Sequence, residues 1–264
     1  MLINTVILFI RDLLPIFVLL CFIFSCLDIN HLSKMNWLMV FFINVLGVFA
    51  VFYFYPSLAE LFDGFGVEIS KTFALILVYV CLVFSCSLLV IQQSITSLQH
   101  RIMLLGVVIF IIINTSEFLV FLNSYISNTQ SISDILAGLS MGLGICLSFS
   151  ALLYFLLNWL KRKSMSLILY SLLALFLSGQ ISQVVNLLQQ IDIVTSSEAI
   201  WDSSNIVKDS SEYGHLFKTL FGYEASPSLE FLMVYAASLI IFSITYFIKA
   251  SINIKSKSVA WEVK

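Results

Sequence analysis

Seven stretches of this chain are long and apolar enough to cross a bilayer, and that constrains the fold more than any motif does. They are Asn4–Leu27, Trp37–Tyr55, Thr72–Gln92, Ile102–Leu122, Ile135–Leu160, Ser166–Gln190 and Leu229–Lys249, each near the roughly 20 residues that span the hydrocarbon core as a helix. Inside lipid every backbone N–H and C=O must be paired within the protein, so runs of this length specify helices. Charged residues make up 11% of the chain, against about 25% in soluble domains. The expectation is an all-α polytopic membrane protein, one integral domain over residues 1–264, with the lipid bilayer as its first partner. The first run lacks a basic leader and carries Arg11-Asp12 in its middle, so it reads as a retained helix and not a cleaved signal. The cysteines Cys21, Cys26, Cys81, Cys86 and Cys146 all fall in apolar runs without CxxC spacing. They read as small buried hydrophobes and not as metal ligands.

Orientation follows from lysine and arginine near the helix ends. With the N-terminus outside, the inner segments hold Lys34, Arg101, Lys161, Arg162, Lys163, Lys249, Lys255, Lys257 and Lys264, and the outer loops hold Lys71, Lys208 and Lys218, a bias of nine to three. Seven spans then place the C-terminal tail, residues 250–264, in the cytoplasm. The one long polar segment, residues 191–228, lies outside. Within it Leu216, Phe217, Leu220 and Phe221 share a helical face, which predicts a short helix on the membrane surface.

Two acidic residues sit inside apolar runs, Asp12 in the first and Glu117 in the fourth. A carboxylate there costs roughly 2.5–3.5 kcal/mol on insertion scales, so these residues are the candidate site. Counting from the helix centres, Asp12 lies ~5 Å and Glu117 ~7 Å to the outer side of the midplane. A shift of 102 residues lays the segment around Asp12 on the segment around Asn114 and Glu117, and each opens a group of three helices. Three is odd, so the second group enters the membrane from the opposite side, giving an inverted repeat of two three-helix units, residues 4–92 and 102–190, plus the extra helix 229–249. Asp12 with Pro15, and Asn114 with Glu117, are spaced to share a face toward the interface of the first and fourth helices. Arg11, about 100° around the helix from Asp12, is expected not simply to neutralise it. Pro15 is expected to free the carbonyl of Arg11.

These residues resemble the oxidase-dependent iron permeases, also called the iron–lead transporter family, which are seven-helix proteins with an Arg-Glu-Gly-x-Glu motif in the first and fourth helices. The resemblance covers nearly the whole chain. Its most specific part is the outer segment, with Trp201-Asp202, Ser211, Gly214, Leu220-Phe221-Gly222-Tyr223, Pro227 and then Tyr235, and the glycine-rich fifth run (Gly138, Gly142, Gly144) fits as well. In the metal motifs Arg11-Asp12-Leu13-Leu14-Pro15 keeps the arginine and first acid, and Ile113-Asn114-Thr115-Ser116-Glu117 keeps the second acid alone. Four family carboxylates have become two. Asn186, Leu187 and Gln190 stand where the family has histidine and acidic residues.

The resemblance implies iron uptake in a bacterial inner membrane, with iron as the transported ion and no permanently bound cofactor. Asp12 and Glu117 would be the metal ligands, Arg11, Pro15, Asn114, Thr115 and Ser116 would line the site, and an extracytoplasmic iron oxidase or iron-binding protein would be the partner. The lost carboxylates leave an alternative open: a transport-inactive permease-fold subunit of a larger membrane complex, in which Arg11 and Glu117 form a buried salt bridge, or a transporter of another cation. No nucleotide, nucleophile or zinc motif points to an enzyme. The three histidines, His31, His100 and His215, fall in predicted loops, and nothing points to nucleic acid.

Overall fold

Because the backbone must be paired internally, the apolar runs become helices that pack by side-chain shape. The computed structural model describes residues 2–26, 34–89, 97–128, 132–163 and 165–262, and among them every regular element is helical. The elements are α1 (Leu2–Leu8), a π-helical turn (Phe9–Leu13), α2 (Leu14–Cys26), α3 (Lys34–Glu60), a 3₁₀ turn (Phe62–Gly64), α4 (Gly66–Leu89), α5 (Ser97–Asn128), α6 (Ile132–Arg162), α7 (Ser166–Gln190), α8 (Glu212–Phe221) and α9 (Leu229–Glu262). Among the described residues six stretches are long and apolar enough to cross a membrane: Asn4–Ser25, Leu38–Glu60, Gly66–Ser85, Gln99–Ser127, Ser133–Arg162 and Leu167–Gln190. Leu229–Thr245, at the start of α9, is a shorter apolar helix.

Burial sorts these helices into centre and rim. Leu167–Gln190 is 72% buried and Asn4–Ser25 61%, whereas Leu38–Glu60 is 6% buried. α7 and the first helix therefore form the centre, and α3 turns Phe41, Phe42, Leu46, Phe49 and Tyr53 outward. α6 likewise exposes Leu152 and Phe155. So wide an apolar surface is untenable in water and points to an integral membrane protein. The core between helices is filled by Leu14, Leu19, Leu82, Met103, Phe110 and Phe176, among others. Cys21, Cys81 and Cys146 are buried free thiols, as expected of small hydrophobes; the side chains of Cys26 and Cys86 lie outside the described residues.

α1 and α2 pack along α6, α3 packs on α5, α4 lies between α5 and α7, and α7 carries α9. The π-helical turn touches α5, α6 and α8. Gly142 on α6 lets Phe9 approach, since a Cβ there would sit 2.6 Å from the ring.

The segment 191–228 is a folded cap on α7. Ser203 N–H donates to Ala225 O at 2.8 Å and Ile200 N–H to Pro227 O at 3.1 Å, which ties its start to its end. α8 has strong stop and start signals: Ser211 Oγ accepts from Gly214 N–H at 3.0 Å, and Gly222, at φ +68, ends the helix in the left-handed conformation glycine favours. Gly222 lies so close to Gly179 of α7 that a Cβ on Gly179 would be 2.5 Å from the Gly222 nitrogen. The expected short helix is present, but half its apolar face, Leu216 and Leu220, packs into the protein core. Phe217 and Phe221 remain partly exposed.

Candidate functional site

Asp12 is placed by an irregular turn. Leu14 N–H bonds back to Phe9 O, five residues away, so the helix widens into a π-helical turn over Phe9–Leu13. Such turns are rare and frequent at functional sites. In that register the next carbonyl, that of Ile10, faces Pro15, which has no N–H to offer. Thr219 of α8 supplies the missing donor: its hydroxyl bonds Ile10 O at 3.2 Å. The carbonyl that gains an outside partner is thus that of Ile10 and not, as an unbroken α-helical register would predict, that of Arg11. Cys146 Sγ approaches Phe9 O at 3.8 Å on the other side.

Asp12 is 3% exposed and fully engaged by its neighbour. Arg11 Nε donates to Asp12 Oδ1 at 2.6 Å and Arg11 Nη2 to Oδ2 at 3.0 Å. The guanidinium also lies 4.3 Å from the centre of the Phe121 ring on α5. The expectation that Arg11 does not neutralise Asp12 is corrected. Two Cα atoms about 100° apart on a helix can still pair when one side chain is long enough to fold back along the surface, as arginine's apolar stem allows.

Glu117 is likewise engaged, by a residue assigned above to an outer loop. Lys71 lies inside α4, and its Nζ bonds both carboxylate oxygens of Glu117 at 2.6 and 2.7 Å. The partner of Glu117 is therefore Lys71 and not Arg11. The two pairs adjoin, for Asp12 lies within electrostatic reach of both Glu117 and Lys71. Asn114 Nδ2 donates to Phe110 O at 2.8 Å and Ser116 Oγ to Ile113 O at 2.9 Å, each spending its donor on its own helix. Thr115 is half-buried and Pro15 buried. Beside Phe121 a groove of about 290 Å³ is lined by Asn4, Ile7, Leu8, Phe121, Ser124 and Tyr125.

The arrangement holds two positive and two negative groups as neighbouring ion pairs, so the four groups together carry no net charge. Among the described residues no three His, Cys, Asp or Glu side chains converge as metal ligands. His100 lies in α5 and His215 in α8, not in loops, and His31 falls outside the described residues. His215 stands under the positive fields of Arg11 and Lys218 with Asp209 opposing, and burial, the largest influence, pushes its pKa below the usual value. Asn186 Nδ2 bonds Glu224 Oε2 at 3.1 Å, and Lys218 bonds the same oxygen at 2.9 Å, so this polar end of α7 fastens the cap.

Compared with known proteins, the chain matches no family model, no curated protein and no solved structure.

Proposed function

We propose that this chain is a permease-fold subunit of a membrane complex whose intramembrane charges are locked and which does not carry iron. The carrying observation is the double grip on each carboxylate: Arg11 on Asp12 and Lys71 on Glu117, two hydrogen bonds each. An iron ion would have to displace both cations, and replacing a buried pair with apolar residues of similar volume is often neutral or stabilising, which is how a structural pair behaves. Part of the helix neighbourhood supports the inverted repeat, although the α4–α5 contact, third with fourth, has no comparable counterpart between α7 and the first helix. Exchanging helices one to three with four to six turns the first-with-fifth contact (α1 and α2 on α6) into the fourth-with-second contact (α5 on α3), and leaves the third-with-sixth contact (α4 on α7) in place.

Iron permease activity is the second reading. It is favoured by the mutual electrostatic reach of Asp12 and Glu117 across the first–fourth helix contact, and it carries with it the extracytoplasmic oxidase or iron-binding partner. One experiment separates the two. Iron uptake into proteoliposomes and thermal unfolding are measured together for wild type, Asp12→Asn, Glu117→Gln and Lys71→Met with Glu117→Met. The scaffold reading expects no saturable uptake in any of them, a lowered Tm for the single variants and recovery in the double methionine variant. Saturable uptake by wild type, lost in Asp12→Asn at unchanged Tm, would establish the permease instead.

A further inference from the structure

We propose that the junction of α3, α4 and α5 binds a small monovalent cation through oxygens of Glu68 and Thr72, beside the Lys71–Glu117 pair. This goes beyond the scaffold reading and concerns a different place from Asp12. Lys71 has its ammonium on both oxygens of Glu117 at 2.6 and 2.7 Å, and Glu68, three residues before Lys71 on α4, has no ion pair of its own among the described residues. Glu68 lies in the first turn of α4, where the helix dipole favours an acid. The dipole does not explain why its Oε2 is buried without a hydrogen-bond partner.

Thr72 supplies the second, independent sign. It follows Glu68 by four residues and so stands on the same face of α4. It is only 8% exposed, and its Oγ1 is buried without a partner. A helical threonine ordinarily bonds its hydroxyl to a carbonyl three or four residues back; this one does not. α3 closes the remaining side, since Tyr55 lies within electrostatic reach of both Glu68 and Glu117. Two orphaned oxygens one turn apart, one of them on a carboxylate, are unfavourable when buried unless a hydrogen-bond donor or a cation meets them, and the charge of the carboxylate favours the cation. Oxygen donors suit a hard cation. A single surplus negative charge next to an ammonium matches one positive charge and opposes two, so the occupant is of the sodium class. It would tie the thinly packed α3 to the α4–α5 pair.

The test is thermal unfolding of the purified protein in NaCl, KCl and choline chloride at matched ionic strength and pH 7.5. The expected result is a saturable rise of Tm in NaCl, as for any ligand that binds the native state alone, that is absent in choline chloride. The rise should vanish in Glu68→Gln and in Thr72→Val while Gly144→Ala, at a glycine with open space around it, retains it. Thr72→Val keeps shape and serves if Glu68→Gln does not fold. Direct sodium titration by calorimetry on wild type gives a second readout. A Tm indifferent to the cation, or a rise that survives both variants, would overturn the proposal.

Discussion

Asp12 and Glu117 differ in how much each depends on its partner. Asp12 has a side chain 4% exposed, against 19% for Glu117, so water can relieve a stranded Glu117 more than a stranded Asp12. Breaking a buried pair by removing one partner costs roughly 3–5 kcal/mol. Arg11→Met is therefore expected near that range and Lys71→Met well below it, with Tm falling in that order in a thermal-shift assay; equal losses would mean that exposure does not set the cost. Glycines divide in the same way. At Gly179 an added Cβ would meet Gly222 backbone, which cannot rotate away, whereas at Gly144 nothing lies within 4 Å. Gly179→Ala should destabilise by about 1–3 kcal/mol through overpacking, while Gly144→Ala should be neutral or gain up to ~1 kcal/mol of helix propensity. Asp12 and Glu117 were legible as anomalies because charge in an apolar run stands out. Lys71 was not, for the opposite reason: α4 begins at Gly66 with Glu68, Ser70 and Lys71 interrupting its apolar residues, and the apolar run that marks it in the sequence starts only at Thr72.

Among the elements, α8 links the cap to the site, and its attachment is measurable. Thr219→Val removes the hydroxyl that serves Ile10 O, an interaction worth about 1 kcal/mol, and leaves a buried carbonyl short of a donor. Faster hydrogen exchange over residues 211–223 in this variant, with the membrane helices unchanged, is the expected result. The same docking depends on pH through His215. Its folded-state pKa is held below the usual 6.5 by burial, then by Arg11 and Lys218. A group whose pKa is depressed on folding contributes stability that is fully present above its unfolded value and is lost as pH falls through the lower, folded value. The protection of α8, the base-catalysed exchange rate of an unstructured chain at the same pH divided by its own, should therefore fall as pH drops below about 6.5, and His215→Gln should flatten that dependence; protection that falls on the alkaline side would contradict the sign. Element boundaries were legible where polarity changes sharply, as at Ser166–Gln190, which is both the apolar run and the helix α7. They were less so for α5, which continues from Ser97 to Asn128 beyond Ile102–Leu122, because polar flanks of a membrane helix stay helical outside the hydrocarbon. The π-helical turn left no periodic signal at all. It replaces a few hydrogen bonds without changing hydropathy, and Pro15 alone hinted at it.

At the scale of the whole molecule, the two ends of the first helix fix the orientation of everything else. Its N-terminal half meets the cap, through Thr219 on Ile10 O at 3.2 Å. Its C-terminal end meets the basic end of α6, where Lys161 Nζ donates to Ser25 O at 2.8 Å and Ser25 Oγ to Asn158 at 3.3 Å. Lys161 and Arg162 close α6, and Lys163 follows them beside Trp159, a cationic and aromatic edge of the kind that marks the cytoplasmic interface. α7 runs from just beyond that edge to the cap, so the two lie at opposite ends of a helix long enough to span. The start of the chain therefore shares a side with the cap, and the positive-inside rule predicts that this side is the outer one. The structure describes six such helices and the shorter Leu229–Thr245, and the relation between cap and basic edge holds for six spans or seven. The side chains of Lys34, Lys249, Lys255, Lys257 and Lys264 lie outside the described residues; Lys161, Arg162 and Lys163 mark the basic edge. A membrane-impermeant maleimide applied to intact cells should label Lys208→Cys in the cap at once and Lys163→Cys only after permeabilisation. Labelling of Lys163→Cys alone in intact cells would invert the molecule. Asp12, Glu117 and the cap would then face the cytoplasm, where no extracytoplasmic oxidase or iron-binding protein could reach them, and the iron-uptake reading would fall on topology alone.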